Sequence, residues 1–172
     1  MKLSAQLQRV RLFLCDVDGV LTDAGVFIGG EREFKRFDIQ DGLGLVLLRR
    51  AGIKVGWISS RPSPATEARA IELKIDFLVQ TKERKITAVE NLLAQTGLNW
   101  EQVCYVGDDV VDLGALKRSG LAVAVANAVN EVKAAAHITT RKSGGHGAVR
   151  EVVEMILKAQ RRWQPLVAEY AA

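Results

Sequence analysis

Short, unbroken apolar runs and stretches of helical spacing alternate along this chain. Arg11–Cys15 (RLFLC) is the first run, and it stops at an acid, Asp16. Ile53–Ile58 (IKVGWI), Ile75–Gln80 (IDFLVQ), Val103–Val106 (VCYV) and Leu121–Ala126 (LAVAVA) are of the same kind. Continuous apolar runs this short suit strands buried on both faces, as in a parallel sheet. Between them apolar residues recur at helical spacing over Asp41–Ala51, Ser63–Lys74, Glu83–Gln95, Val110–Ser119 and Ala148–Gln160. The punctuation agrees: Gly52, Gly97 and Gly120 stand where helices end, and Pro64 stands in a first turn. Ala24–Phe37 alternates loosely around Gly29-Gly30 and predicts a β-hairpin. Strands alternating with helices predict an α/β fold, a Rossmann-like parallel sheet with helices on both faces, as one domain over residues 1–172.

Such sheets bind ligands beyond the carboxyl ends of their strands, so the residues that follow each run carry the chemistry. Asp16 and Asp18 follow the first. Ser59, Ser60 and Arg61 follow the second. Lys85 opens the helix after the third, and Asp108, Asp109 and Asp112 follow the fourth. A greasy run should not end in uncompensated acid, since two carboxylates about 4 Å apart repel by roughly 4 kcal/mol at an effective dielectric of about 20. Clustered carboxylates with few nitrogen or sulfur partners suit a hard divalent cation. Mg2+ prefers one or two carboxylates plus waters and a substrate phosphate. Lys85 and the Ser59 hydroxyl would then meet phosphate oxygens, leaving an aspartate to attack phosphorus.

Composition narrows the classes. A net charge of +4 admits nucleic acid as a partner. The basic residues are scattered, however, with modest clusters at Lys82–Lys85 and Lys158–Arg162 and few aromatics between them. A solvated face or a site for a phosphorylated small molecule accounts for the charge equally well, so no nucleic acid is expected. No apolar run approaches the roughly 20 residues of a membrane helix, and Met1–Arg11 reads poorly as a signal peptide. Cys15 and Cys104 sit inside apolar runs, as buried thiols of a reducing, cytoplasmic compartment do. Blander roles exist for each site residue. Asp-Gly is a common turn signal, Ser59 could cap a helix, Lys82 could replace Lys85, and Asp109 and Asp112 could be acids favoured at a helix N-terminus.

The stretch DVDGVLTD from Asp16 to Asp23 resembles the first motif, DxDGxxTD, of the haloacid dehalogenase (HAD) phosphatase superfamily. Ser59 stands at its second motif, Lys85 at its third and GDDVVD, with Asp108, at its fourth, in order. A finer resemblance covers nearly the whole chain. DVDGVLTDAGVFIGG, FDIQDGLGLVLLRRAGIKVGWISSR, YVGDDVVDLGALKRSGLAVAVANA and GGHGAVREVVEMILKAQ are similar to the 3-deoxy-D-manno-octulosonate 8-phosphate (Kdo 8-phosphate) phosphatases. Ser60 replaces that family's usual glycine, and His146 its usual arginine.

The resemblance implies a cytoplasmic, Mg2+-dependent phosphatase that releases Kdo, a lipopolysaccharide precursor. Asp16 is then the nucleophile, and Asp18 the acid and base. Lys85 and Ser59 hold the phosphoryl group, and Ser60 and Arg61 adjoin the sugar acid. The metal lies among Asp16, Asp108 and the Asp18 carbonyl, with Asp109 and Asp112 behind. The gaps between motifs hold a hairpin, helices and a strand but no room for a cap domain. In this family a homotetramer of paired hairpins covers the open site. Two alternatives stand beside this reading: a phosphatase for a nine-carbon sugar-acid 9-phosphate, and a non-catalytic tetramerisation module like the phosphatase-like domains of some nucleotidyl-sugar synthetases. The second is disfavoured because the chain keeps Asp16, Asp18, Lys85 and Asp108 and carries no synthetase portion.

Overall fold

All five apolar runs form strands in the computed structural model, which describes residues 2–30 and 32–171. They are β1 (Leu12–Cys15), β4 (Lys54–Ser59), β5 (Phe77–Gln80), β6 (Val103–Gly107) and β7 (Leu121–Ala124). A two-residue strand, β8 (Ile138–Thr139), completes a parallel sheet in the order β5-β4-β1-β6-β7-β8. Every side chain of β1 is fully buried, from Leu12 to Cys15. Each large apolar side chain removed from water contributes about 1.5–3 kcal/mol, which is why the first run anchors the centre.

The chain leaves β1 in one direction, to β4 and β5, then returns to fill the other side with β6, β7 and β8. That reversal makes the carboxyl end of β1 a switch point. Helices α2 (Ile39–Arg50), α3 (Pro64–Glu72), α4 (Lys85–Thr96), α5 (Leu113–Arg118) and α6 (Asn130–Ala135) connect the strands. Right-handed crossovers set α2 and α3 on one face and α4, α5 and α6 on the other. The closing helix α7 (Ala148–Ala159) packs on α2. The amino-terminal helix α1 (Lys2–Arg9) and a short α8 (Trp163–Ala168) pack on α7.

The hairpin forms where the glycines predict it. β2 (Phe27–Gly29) pairs antiparallel with β3 (Arg32–Phe34), Phe27 opposite Phe34, with Gly30 at φ 60° in the turn. Its strands are shorter than Ala24–Phe37. The helix expected over Val110–Ser119 is also shorter. Val110–Asp112 winds as a tight 3-10 turn before α5, because Asp109 and Asp112 turn back on backbone N–H groups. Helices α1, α6 and α8 and strand β8 enter only with the structure. No helix among the described residues is long and apolar enough to cross a membrane.

Candidate active site

Four chain segments converge at the carboxyl end of β1. Asp16 leaves β1 with its N–H donating to the Val106 carbonyl on β6. The next residues coil tightly: the N–H groups of Val20, Leu21 and Thr22 all donate to the carbonyl of Val17. Gly19 lies within this coil at φ 88°, a left-handed conformation that glycine adopts without strain. A β-carbon there would also fall 2.0 Å from an oxygen of Asp108, so the backbone can approach the acid only without a side chain. Asn127 braces the coil, donating to the carbonyl of Gly19 and accepting from the N–H of Gly144.

Asp16, Asp108 and Asp112 each offer a carboxylate oxygen, and the three oxygens lie within 4.8 Å of one another. Lys85, buried at the first turn of α4, pairs with Asp16 at 2.5 Å and Asp112 at 2.8 Å. Asp112 is fully used. One oxygen accepts from Lys85 and the Tyr105 hydroxyl, the other from the N–H groups of Asp108 and Asp109. Asp108 differs: its Oδ1 is buried and has no hydrogen-bond partner among the described residues. Burial, with Asp16 and Asp112 nearby, pushes the Asp108 carboxyl up to about 7. Burial raises Asp16 as well, against the pull of Lys85. Desolvation alone would lower Lys85, but Asp112 and Asp16 outweigh it and hold the ammonium above its ordinary value. Three acids against one lysine leave two negative charges, and a divalent cation would cancel them. The open oxygen of Asp108 beside Asp16 fits such an ion, whereas the saturated Asp112 fits the role of holding Lys85 and the Asp108 backbone in place.

The carboxylate of Asp18 is not among the three clustered oxygens, because a buried ammonium, Lys35, pairs with it at 2.8 Å. Of the two candidate lysines, Lys85 enters the cluster and Lys82 remains exposed. Asp109 is exposed and accepts from the N–H of Val110, so it caps its own turn. Ser59 is buried at the end of β4. Its hydroxyl closes a small ring with Arg61, accepting from its N–H and donating to its carbonyl. Ser60 is exposed and lines an open cleft of about 730 Å³ together with Lys82, Arg84, Lys85 and Val110.

Arg61 points a guanidinium at Glu33 of β3, 2.5 Å away. One of its nitrogens is buried with no hydrogen-bond partner among the described residues. His146 lies beside Arg36. Tyr105 and Lys35 gave no sequence signal. A tyrosine inside an apolar run reads as core, and a lysine in a hairpin reads as solvated.

A family model described as haloacid dehalogenase-like hydrolase matches residues 51–152. The chain belongs to the haloacid dehalogenase-like hydrolases. A curated relative from Yersinia pestis, named 3-deoxy-D-manno-octulosonate 8-phosphate phosphatase, is 42% identical over 152 residues, 88% of this chain and 81% of its own. The crystal structure of a protein of the same name from Moraxella catarrhalis holds a magnesium ion, a phosphate ion and Kdo. It superposes with a TM-score of 0.96 at 37% identity, covering 98% of each chain. A cobalt-bound form of the Haemophilus influenzae phosphatase gives a TM-score of 0.87 at 40% identity over 90% of this chain and 91% of that one. The enzyme class that goes with these relatives is phosphoric monoester hydrolase.

Proposed function

We propose that this enzyme hydrolyses Kdo 8-phosphate to Kdo and phosphate with Mg2+ as its cation. The observation that carries the reading is the charge set at the end of β1: three acids against one lysine, with the Asp108 oxygen open beside Asp16. The sugar acid comes from the three relatives above, which carry that substrate in their names.

Asp16, Asp108 and the backbone carbonyl of Asp18 would hold the ion. When bound, it supplies positive charge that lets a phosphate dianion approach the carboxylates. Asp16 attacks phosphorus through a carboxylate oxygen and forms an aspartyl-phosphate. Asp18 gives a proton to the departing sugar oxygen and then takes one from the water that cleaves the intermediate. Lys85, held by Asp112, and the Ser59 hydroxyl orient the phosphoryl oxygens, and such positioning is most of what this transfer requires. Arg61, braced by Glu33 and with a nitrogen to spare, suits the sugar-acid carboxylate. The buried thiols of Cys15 and Cys104 fit a cytoplasmic enzyme.

The chain between Asp18 and Ser59 holds the hairpin and α2, and that between Ser59 and Lys85 holds α3 and β5. We take this as one capless domain. Phe27, Ile28 and Phe34 on the hairpin are 62%, 76% and 57% exposed, which supports a homotetramer built on paired hairpins.

Phosphate release from a panel of eight- and nine-carbon sugar-acid phosphates tests the reading. Kdo 8-phosphate should be preferred, activity should disappear with chelator and return with Mg2+, and Asp16→Asn should be inert. Preference for a nine-carbon ester would move the substrate. Full turnover in excess chelator would remove the metal.

A further inference from the structure

The hairpin carries one side chain inward. Lys35 follows β3 directly, between exposed Phe34 and Arg36, yet its own side chain is 0% exposed. Its ammonium lies 2.8 Å from one oxygen of Asp18 and 3.0 Å from the other. It also donates to the hydroxyl of Thr66 on α3 at 3.3 Å and lies 3.7 Å from Glu33. Thr66 is itself fully buried, with its N–H donating to Ser63. Glu33 is fixed in turn by Arg61 and the Ser63 hydroxyl. Burying an ammonium is costly unless it is paired and hydrogen-bonded. This one has oxygen partners from the coil after β1, from α3 and from β3, enough for its three donors.

We propose that Lys35 is a positioning residue for Asp18, fixing that carboxylate in the orientation from which it exchanges a proton with the leaving oxygen and then with water. This rests on the acid–base role given to Asp18 above. In the first step the Asp18 proton passes to the ester oxygen as its bond to phosphorus breaks and the bond from Asp16 to phosphorus forms. In the second, Asp18 takes a proton from water as the water oxygen bonds to phosphorus and Asp16 is released. Lys35 keeps its own protons throughout. Its contribution is therefore confined to steps in which Asp18 moves a proton. An alkyl ester needs that proton to leave, whereas p-nitrophenolate leaves without it.

Lys35→Met, Lys35→Arg and Asp18→Asn, with Mg2+ present, are compared by rapid mixing on Kdo 8-phosphate and on p-nitrophenyl phosphate. Lys35→Met should lose about 100-fold in kcat on the alkyl ester, with KM nearly unchanged. On the aryl ester it should give a burst of about one nitrophenol per site and then slow turnover, as the aspartyl-phosphate waits for its base. Equal losses on both esters with no burst would make Lys35 part of the scaffold and overturn the proposal. Lys35→Arg keeps the buried charge. Its smaller loss should be greater on the alkyl ester than on the aryl ester, and equal losses on both esters with no nitrophenol burst overturn the proposal even if Lys35→Met does not fold. Asp18→Asn separates the two ideas. If it shows the leaving-group dependence and the Lys35 variants do not, only the Lys35 proposal fails. If it shows none, the acid–base reading of Asp18 falls and this proposal with it.

Discussion

Two acids of one motif have opposite work. Asp112 is fully buried and accepts four hydrogen bonds, while Asp109 is exposed and accepts from its neighbour's N–H. Asp112→Asn turns an amide donor onto other donors and removes a charge from Lys85. Breaking a buried pair in this way costs about 3 kcal/mol, or roughly 6–12 °C in melting temperature. Asp109→Asn keeps a good cap and should stay within about 0.5 kcal/mol of the parent. Thermal unfolding of both variants checks this, and similar losses would contradict the division. Protonation gives a second expectation. A carboxyl raised by folding, as Asp108 is to about 7 and Asp16 is by burial, stabilises the fold below its unfolded value. That contribution is lost as pH climbs through the folded value. The cation-free protein should therefore lose melting temperature between about pH 5 and pH 8. In the proposed site Mg2+ would meet those same ionised oxygens, so saturating Mg2+ should raise the melting temperature more at pH 8 than at pH 5.5. A larger rise at the lower pH would count against the cation site. The sequence exposed Asp16, Asp108 and Lys85 because each ends a strand or opens a helix at a fixed place in the pattern. It could not show that Lys35 turns inward, since that depends on Asp18 and Thr66 meeting it from elsewhere in the chain.

Helix α7 begins without a side-chain cap of its own, at Gly147 in a left-handed conformation. Its cap comes from another helix. Asp41 in α2 is 1% exposed and accepts from the N–H groups of Gly147 and Arg150. Burial pushes its carboxyl up to about 6, against the stabilising pull of those N–H donors. Asp41→Ala leaves both donors buried without a partner and should cost about 2 kcal/mol. Asp41→Asn, whose carbonyl still accepts, should cost about half of that. Chemical denaturation of the two variants measures the difference, and equal costs would remove the capping role. Longer elements were legible because several turns of spacing repeat in α2, α3, α4 and α7, and the first three carry a stop or start residue. Helices α6 and α8 have six residues each and β8 has two, which is too little chain for a period to show. The 3-10 turn at Val110–Asp112 was hidden for another reason: the pull of Asp112 on its own backbone overrides the helical spacing around it.

On the molecular scale, the hairpin presents Phe27, Ile28 and Phe34 to solvent on a two-stranded ribbon, and a ribbon of that size is marginal alone. The inner edge is fastened through Glu33 and Lys35, so the apolar surface is held out rather than folded back. Sedimentation should give about four times the 18.8 kDa chain mass. Replacing Ile28 and Phe34 with Asp should give smaller species with reduced turnover on sugar-acid phosphates, whereas a fully active monomer would refute the assembly. The sequence showed the hairpin and its apolar residues, but whether they turn inward depends on the whole chain. The coil after β1 depends on distant chain as well. Gly144 packs against it so closely that a β-carbon would fall 1.8 Å from the carbonyl of Gly19, and the N–H of Gly145 donates to the carbonyl of Val20. During synthesis, then, a ribosome that has already made every acid, the lysine and the serine still carries an unfinished site. At roughly 5–20 residues per second, Asp16, the proposed nucleophile, waits on the order of ten seconds for the two glycines that lock its loop. A nascent chain stalled before them would hold all the motifs and hydrolyse nothing.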